Sequence, residues 1–117
     1  MRVAIIGSRS IEERRIQKEV YELICSYVPA NCTEIISGGA SGADKLAELY
    51  AEESKLHLTV FRPDYESFGK RAPIIRNCEI IDHSQYVIAL WDGRSRGTAF
   101  TVTECIKKGI PVRVFVL

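Results

Sequence analysis

Apolar residues along this chain alternate between two periodicities, and the alternation itself sets out a fold. RVAIIG (Arg2 to Gly7) is a β-branched run too short for a helix and reads as a strand buried on both faces. Ser10 and Glu13 then stand at capping-box spacing, and Ile16, Val20, Leu23, Ile24 and Tyr27 share one helical face until Pro29 ends the segment. Glu34 to Ser37 is a short strand. The stretch GGASGAD opens a second helix from about Gly42, with Ala43, Leu46, Ala47, Tyr50 and Ala51 on one side. Leu56 to Phe61 alternates as a third strand, with Leu56, Leu58 and Val60 in phase. RPDYESFGKRA is expected to be a loop, and Pro73 marks the start of a third helix whose core face carries Ile74, Cys78 and Ile81. YVIALW (Tyr86 to Trp91) is a second strongly buried strand. DGRSRG leads to a helix from Thr98 to Lys108, Gly109 ends it, and PVRVFVL supplies the last strand.

The order βαβαβαβαβ predicts an α/β fold: a Rossmann-like, doubly wound, five-stranded parallel sheet with right-handed crossovers and helices on both faces. The first and fourth strands are the most apolar and belong in the centre, which gives the order 3-2-1-4-5 and a topological switch point between them. Residues 1–117 are expected to form a single domain, a length that buries a sizeable core without staples.

That topology turns glycine position into a test of function. Every strand-to-helix loop emerges at one edge of the sheet, and seven of the eight glycines fall there, leaving only Gly109 on the other side. Glycine lets backbone amides approach a ligand, and a helix N-terminus favours anions by about 0.3–1 kcal/mol. The rim is therefore a candidate cradle for an anionic ligand, as well as a set of tight turns. GGASGAD is neither a Walker A loop nor a G-x-G-x-x-G fingerprint. Within it Ser41 and Asp44 are open between capping and chemistry. Ser8 and Arg9 follow the first strand beside the switch point, and an arginine fork suits phosphate, although a surface ion pair is the alternative. Arg76 and Asn77 lie early in the third helix, where Asn77 either fixes a loop or reads a base edge. Asp92, Arg94, Ser95 and Arg96 crowd the loop before Gly97 and Thr98. Trp91 and Tyr65 are open between stacking on a base and packing, and neither His57 nor His83 lies in a glycine loop.

Composition narrows the classes. Apolar residues are 46% and charged residues 26% of the chain, as in a globular protein, and the net charge of +1 does not favour a nucleic-acid coat. Cys25, Cys32, Cys78 and Cys105 form no CxxC pair and are expected to be reduced thiols, with neither a metal nor a cofactor implied. No apolar run approaches the ~20 residues of a membrane span and nothing resembles a signal peptide, so a cytoplasmic protein without a membrane partner is expected.

Taken together, VAIIGSRS, ISGGASGADKLAELYAEE, FRPDY, Arg76-Asn77 and SRGTAFTVTECIKKGIPV resemble the SLOG superfamily, the Rossmann-like group that joins the Smf/DprA proteins to the LOG hydrolases. The likeness is greatest to its short, stand-alone YspA-like members. The resemblance implies a nucleotide or nucleotide-derived ligand, held by Gly7, Ser8, Gly38, Gly39, Ala40, Ser41, Gly42, Asp44, Gly97 and Thr98. Arg9, Arg76, Asn77 and Asp92 complete the site on the residue-level reading, possible sensing being one use of it. LOG relatives hydrolyse the N-glycosidic bond of nucleoside monophosphates with a PGGxGTxxE motif. Here Thr101 stands where that acid would be, and the first acid is Glu104, so Glu104 and Asp44 are the candidate catalytic carboxylates of a nucleotide N-glycosidase. DprA relatives bind single-stranded DNA, a third and weaker expectation here. LOG-like relatives form dimers, and the last strand offers an edge that benefits from cover, so a homo-oligomer is expected.

Overall fold

The computed structural model describes residues 1–12, 14–40 and 42–117, with the backbone alone at 12 and 14–16. Its strands are β1 (Arg2–Gly7), β2 (Glu34–Ser37), β3 (His57–Val60), β4 (Tyr86–Trp91) and β5 (Val112–Val116). They form one parallel sheet in the order β3-β2-β1-β4-β5. Between them run α1 (Arg14–Tyr27), α2 (Ala43–Glu53), the short α3 (Tyr65–Phe68), α4 (Ala72–His83) and α5 (Arg96–Lys108). The expected Rossmann-like topology is therefore the observed one.

Period-two alternation in two strands buried on both sides is what divides the helices between the faces. Val3 and Ile5 of β1 and Ile88 and Leu90 of β4 meet Val20 and Ile24 of α1 and Ala43, Ala47 and Ala51 of α2. Ala4 and Ile6, with Val87 and Ala89, point the other way and meet Ile80 and Ile81 of α4 and Cys105 of α5. The alanines of α2 let that helix lie close to the sheet, which brings its N-terminus over the end of β1. All four cysteines are free thiols, with Cys32 and Cys105 buried as small apolar residues. No helix among the described residues is long and apolar enough to cross a membrane.

Four local expectations need amendment. RPDYESFGKRA is not wholly irregular: Asp64 Oδ1 accepts the Ser67 amide at 3.1 Å and caps α3, a helix too short to leave a periodic signal. α5 begins at Arg96 rather than Thr98, because Ser95 supplies the cap, its Oγ accepting the Thr98 amide at 3.4 Å. Ile74 is 49% exposed, since the core contact of α4 is made towards its C-terminal end by Ile80 and Ile81. Tyr27 is also exposed and packs at the rim, its ring 4.9 Å from Phe115 with the Arg113 guanidinium 4.9 Å from its centroid. The capping-box partner Glu13, the Ile16 side chain and Ser41 lie outside the described residues. Gly109 takes the left-handed conformation (φ 71°) expected of a helix-ending glycine.

At Gly7 the backbone of β1 touches β4 and α2 with no space for a side chain. A Cβ there would collide with Leu90 O and lie 2.7 Å from the Ala43 Cβ. Gly7→Ala is expected to cost on the order of 3 kcal/mol through overpacking against rigid backbone. Chemical denaturation checks this, and a loss below about 1 kcal/mol would show that α2 shifts freely.

Candidate functional site

The loops after β1, β2 and β4 and the start of α4 converge on one cavity of about 360 Å³ at the C-terminal edge of the sheet. Ile6, Pro73 and Ile80 give it an apolar floor, and Gly7, Arg9, Ser10, Gly38, Ala40, Asp44, Arg76, Asn77, Asp92, Ser95, Gly97, Thr98 and Thr101 complete its lining. Its position, between β1 and β4 where the chain switches faces, is the crevice that open parallel sheets use for ligands.

The two ends of the crevice are held differently. At one end Ser8, itself buried, links the strand tips: its amide donates to Leu90 O at 2.9 Å and its hydroxyl accepts the Asp92 amide at 3.1 Å. Asp92 Oδ1 accepts the Arg94 and Ser95 amides, each at 2.8 Å, and its Oδ2 accepts the Ser10 hydroxyl at 2.9 Å. Those donors, the two amides first, pull the Asp92 carboxyl down to about 2. Asp92 is thus an ionised carboxylate seated beside the start of α5. Thr101 donates to Gly97 O at 3.0 Å and holds the first turn of that helix.

At the other end the glycine loop is fixed from two sides. Arg76 Nη1 donates to Gly38 O at 2.5 Å, and Arg62 Nη1 donates to Gly39 O at 3.1 Å. The loop amides also have partners: Gly39 N–H donates to Ser37 Oγ at 3.2 Å and Ala40 N–H to Asp44 Oδ2 at 3.0 Å. Gly42 has φ 74°, and a Cβ on it would lie 2.8 Å from Ser8 O, so its freedom serves the packing of one loop on the other. Burial pushes the Asp44 carboxyl above its ordinary range, opposed by the Ala40 amide and the Arg76 charge. Arg76 is half-buried, and burial works against its charge while Asp44 supports it and Arg9 repels it. Arg9 and Arg76 both line the cavity, near enough for their charges to interact, an arrangement whose chemistry suits an anion.

Of the residues singled out from the sequence, the fold brings Gly7, Arg9, Gly38, Ala40, Asp44, Arg76, Asn77, Asp92, Gly97 and Thr98 onto the cavity. Ser8, Gly39 and Gly42 stand behind it and shape the loops. Glu104 is not among the lining residues, and its carboxylate lies 3.6 Å from Lys107 Nζ on the outer side of α5. Asn77 Oδ1 accepts Arg76 Nε at 2.9 Å, which braces the arginine, and Asn77 also lines the cavity. Trp91 donates from Nε1 to Ser95 O at 2.9 Å, and Tyr65 is 54% exposed, away from the lining. Sequence reasoning missed Ile6, Ser10, Pro73, Ile80, Ser95 and Thr101 as lining residues. Thr101 was open to detection, since three positions after Thr98 puts it on the same helix face. Among the described residues no group of three His, Cys, Asp or Glu is placed to hold a metal ion.

These features define a class: a Rossmann-like α/β domain with a ligand-sized crevice at its switch point. Comparisons with known proteins carry it further. The family model for the YspA, cpYpsA-related SLOG family matches residues 1–68. The gene 61 protein of Mycobacterium phage D29 is 32% identical over 126 aligned positions, covering 95% of this chain and 93% of that protein. The chain belongs to the YspA, cpYpsA-related SLOG family. The crystal structure of DNA processing protein A from Streptococcus pneumoniae superposes with a TM-score of 0.78 at 21% identity and shares the fold. It covers 97% of this chain, which spans about half of that protein's length, 49%.

The raised carboxyl of Asp44 fixes the sign of one pH effect. A carboxyl that holds its proton more tightly folded than unfolded favours folding at low pH, and that contribution is lost as pH rises through its folded value. Asp44→Asn keeps an acceptor for the Ala40 amide and removes the ionisation. Its melting temperature relative to the parent is therefore expected to be similar near pH 3 and to rise above it towards pH 7. Thermal melts across that range test this, and a variant less stable than the parent at pH 7 contradicts it.

Proposed function

We propose that the crevice binds a nucleotide-derived small molecule carrying phosphate. The observation that carries this reading is the meeting of Arg9 and Arg76 on a cavity of about 360 Å³, where among the described residues no carboxylate lies within 4.0 Å of either guanidinium and Asp44 supports the Arg76 charge from farther off. Membership of the SLOG family supports a nucleotide-related role, as does the place of the cavity at the switch point. The phosphate belongs at the two arginines rather than in the glycine loop, because the Gly39 and Ala40 amides already donate to Ser37 and Asp44. The glycine loop acts as a wall whose shape Arg62 and Arg76 maintain. A crevice of about 360 Å³ and a net charge of +1 favour a small ligand over a nucleic-acid strand.

A second reading, cleavage at the N-glycosidic bond, draws on one observation: Asp44 is a buried carboxylate on the cavity with a raised carboxyl. Release of free base from AMP is its assay. If this reading holds, Asp44→Asn removes the activity and Glu104→Gln, outside the cavity, leaves it. Assembly with further copies is supported by the outer edge of β5, where Val114 and Val116 are 37% and 66% exposed. A monomer mass in sedimentation at all protein concentrations would end that part.

Calorimetry with AMP, ADP-ribose and ribose 5-phosphate tests the principal reading. At least one is expected to bind, and Arg9→Ala is expected to weaken it by about tenfold while leaving the melting temperature unchanged, since Arg9 is exposed. Absence of heat from all three on folded protein would overturn the assignment.

A further inference from the structure

Asp44 and Arg76 stand side by side on the cavity wall, flanking the same glycine. A Cβ placed on Gly38 would lie 2.6 Å from Arg76 Nη1 and 3.1 Å from Asp44 Oδ2, so both side chains close on this one glycine. The two groups ask for opposite partners. A guanidinium takes an anion, whereas an ionised carboxylate is an acceptor only and repels phosphate. Asp44 is 6% exposed, and its contact with solvent and ligand runs through the cavity it lines. Its Oδ2 receives the Ala40 amide, and a carboxylate has about four acceptor positions, so the amide leaves capacity for a donor from the ligand.

From this juxtaposition, and resting on the reading of the cavity as a phosphate-ligand site, we infer that Asp44 accepts a sugar hydroxyl and makes the site selective for ribosyl over deoxyribosyl phosphates. In a nucleotide the group next to the phosphate is the sugar, and the base is more distant. An acceptor flanking the same glycine as the phosphate-binding arginine therefore meets the pentose. Asp92, the other carboxylate on the cavity, already accepts the Ser10 hydroxyl and the Arg94 and Ser95 amides, so Asp44 keeps the larger free capacity for a ligand hydroxyl. Removing a hydroxyl from the ligand leaves a buried carboxylate without its donor, which penalises the deoxy analogue more strongly than the loss of one neutral contact.

The experiment is a calorimetric panel of AMP, 2′-deoxy-AMP and 3′-deoxy-AMP on the parent protein and on Asp44→Asn, with inorganic phosphate as a separate probe. On the parent, at least one deoxy analogue is expected to bind about tenfold or more weakly than AMP. In Asp44→Asn that penalty is expected to shrink to about twofold. Equal affinity of the parent for all three nucleotides overturns the inference and leaves the phosphate site standing, and so does a penalty that persists undiminished in Asp44→Asn. Failure of AMP, ribose 5-phosphate and inorganic phosphate alike to bind the parent overturns both. The comparison of analogues on the parent decides the matter even if the variant does not fold.

Discussion

Ser8 ties together the ends of the two central strands, and the crevice exists because of how closely that tie holds them. Its amide reaches Leu90 O, its hydroxyl receives the Asp92 amide, and Gly7 before it has no Cβ to keep β4 and α2 apart. β1 and β4 send their following helices to opposite faces, so the backbone must part just beyond this junction. A buried hydrogen-bonded hydroxyl and a side-chain-free residue set where the parting begins. Everything that lines the cavity is positioned from there: Arg9 and Ser10 by the turn after Ser8, and Ser95 and Gly97 by the loop that Asp92 organises.

Two of the helices that start at the rim, α2 and α5, bring a carboxylate of their own. Asp92 satisfies the amides before α5, and Asp44, in the first turn of α2, receives the amide of Ala40. A helix N-terminus attracts an anion through unpaired N–H groups and the macrodipole, and here the chain's own carboxylates use part of that attraction. The positive potential left in the cavity comes from side chains. Arg9 and Arg76 repel each other, and burial strains the charge on Arg76, so an anion between them relieves both effects. The cavity lining is therefore divided between two cations, Arg9 and Arg76, and acceptors at the starts of α2 and α5.

The division explains how much was legible in the sequence. Strand order and the edge of the sheet on which the cavity lies followed from period-two and period-3.6 patterns, as did the helix faces apart from Tyr27 and Ile74, because these are set by burial. The glycine asymmetry pointed to the rim where the cavity lies, but for a mixed physical reason. Gly7 and Gly42 serve close packing of backbone on backbone, Gly38 makes space for Arg76 and Asp44, and a Cβ on Gly69 would meet nothing within 4 Å. Which amides are free cannot be read from residue order, since Ala40 meets Asp44 only after the loop has folded back by four residues. Likewise Glu104 and Thr101 differ by one turn-step on the same helix, yet only Thr101 lines the cavity and Glu104 pairs with Lys107 outside it. Direction on a helix is legible once its start is known, and the start of α5 depended on the Ser95 cap.

A wall that carries both a cation and an acceptor also bears on the size of ligand the site prefers. A strand of nucleic acid presents a phosphate at every step, and a binder of such a strand gains most from a continuous line of cations that releases counterions. In this crevice Asp44 interrupts the line beside Arg76, and Asp92 interrupts it at the start of α5. Each interruption costs a polyanion and suits a ligand whose charge is confined to one end and whose other end carries hydroxyl or amino donors. A single nucleotide has that asymmetry built in. The same two carboxylates that occupy the loop amides thus give the cavity a polarity, cationic at the arginines and acceptor-bearing at the helix starts, which under the proposed function turns phosphate towards the arginines.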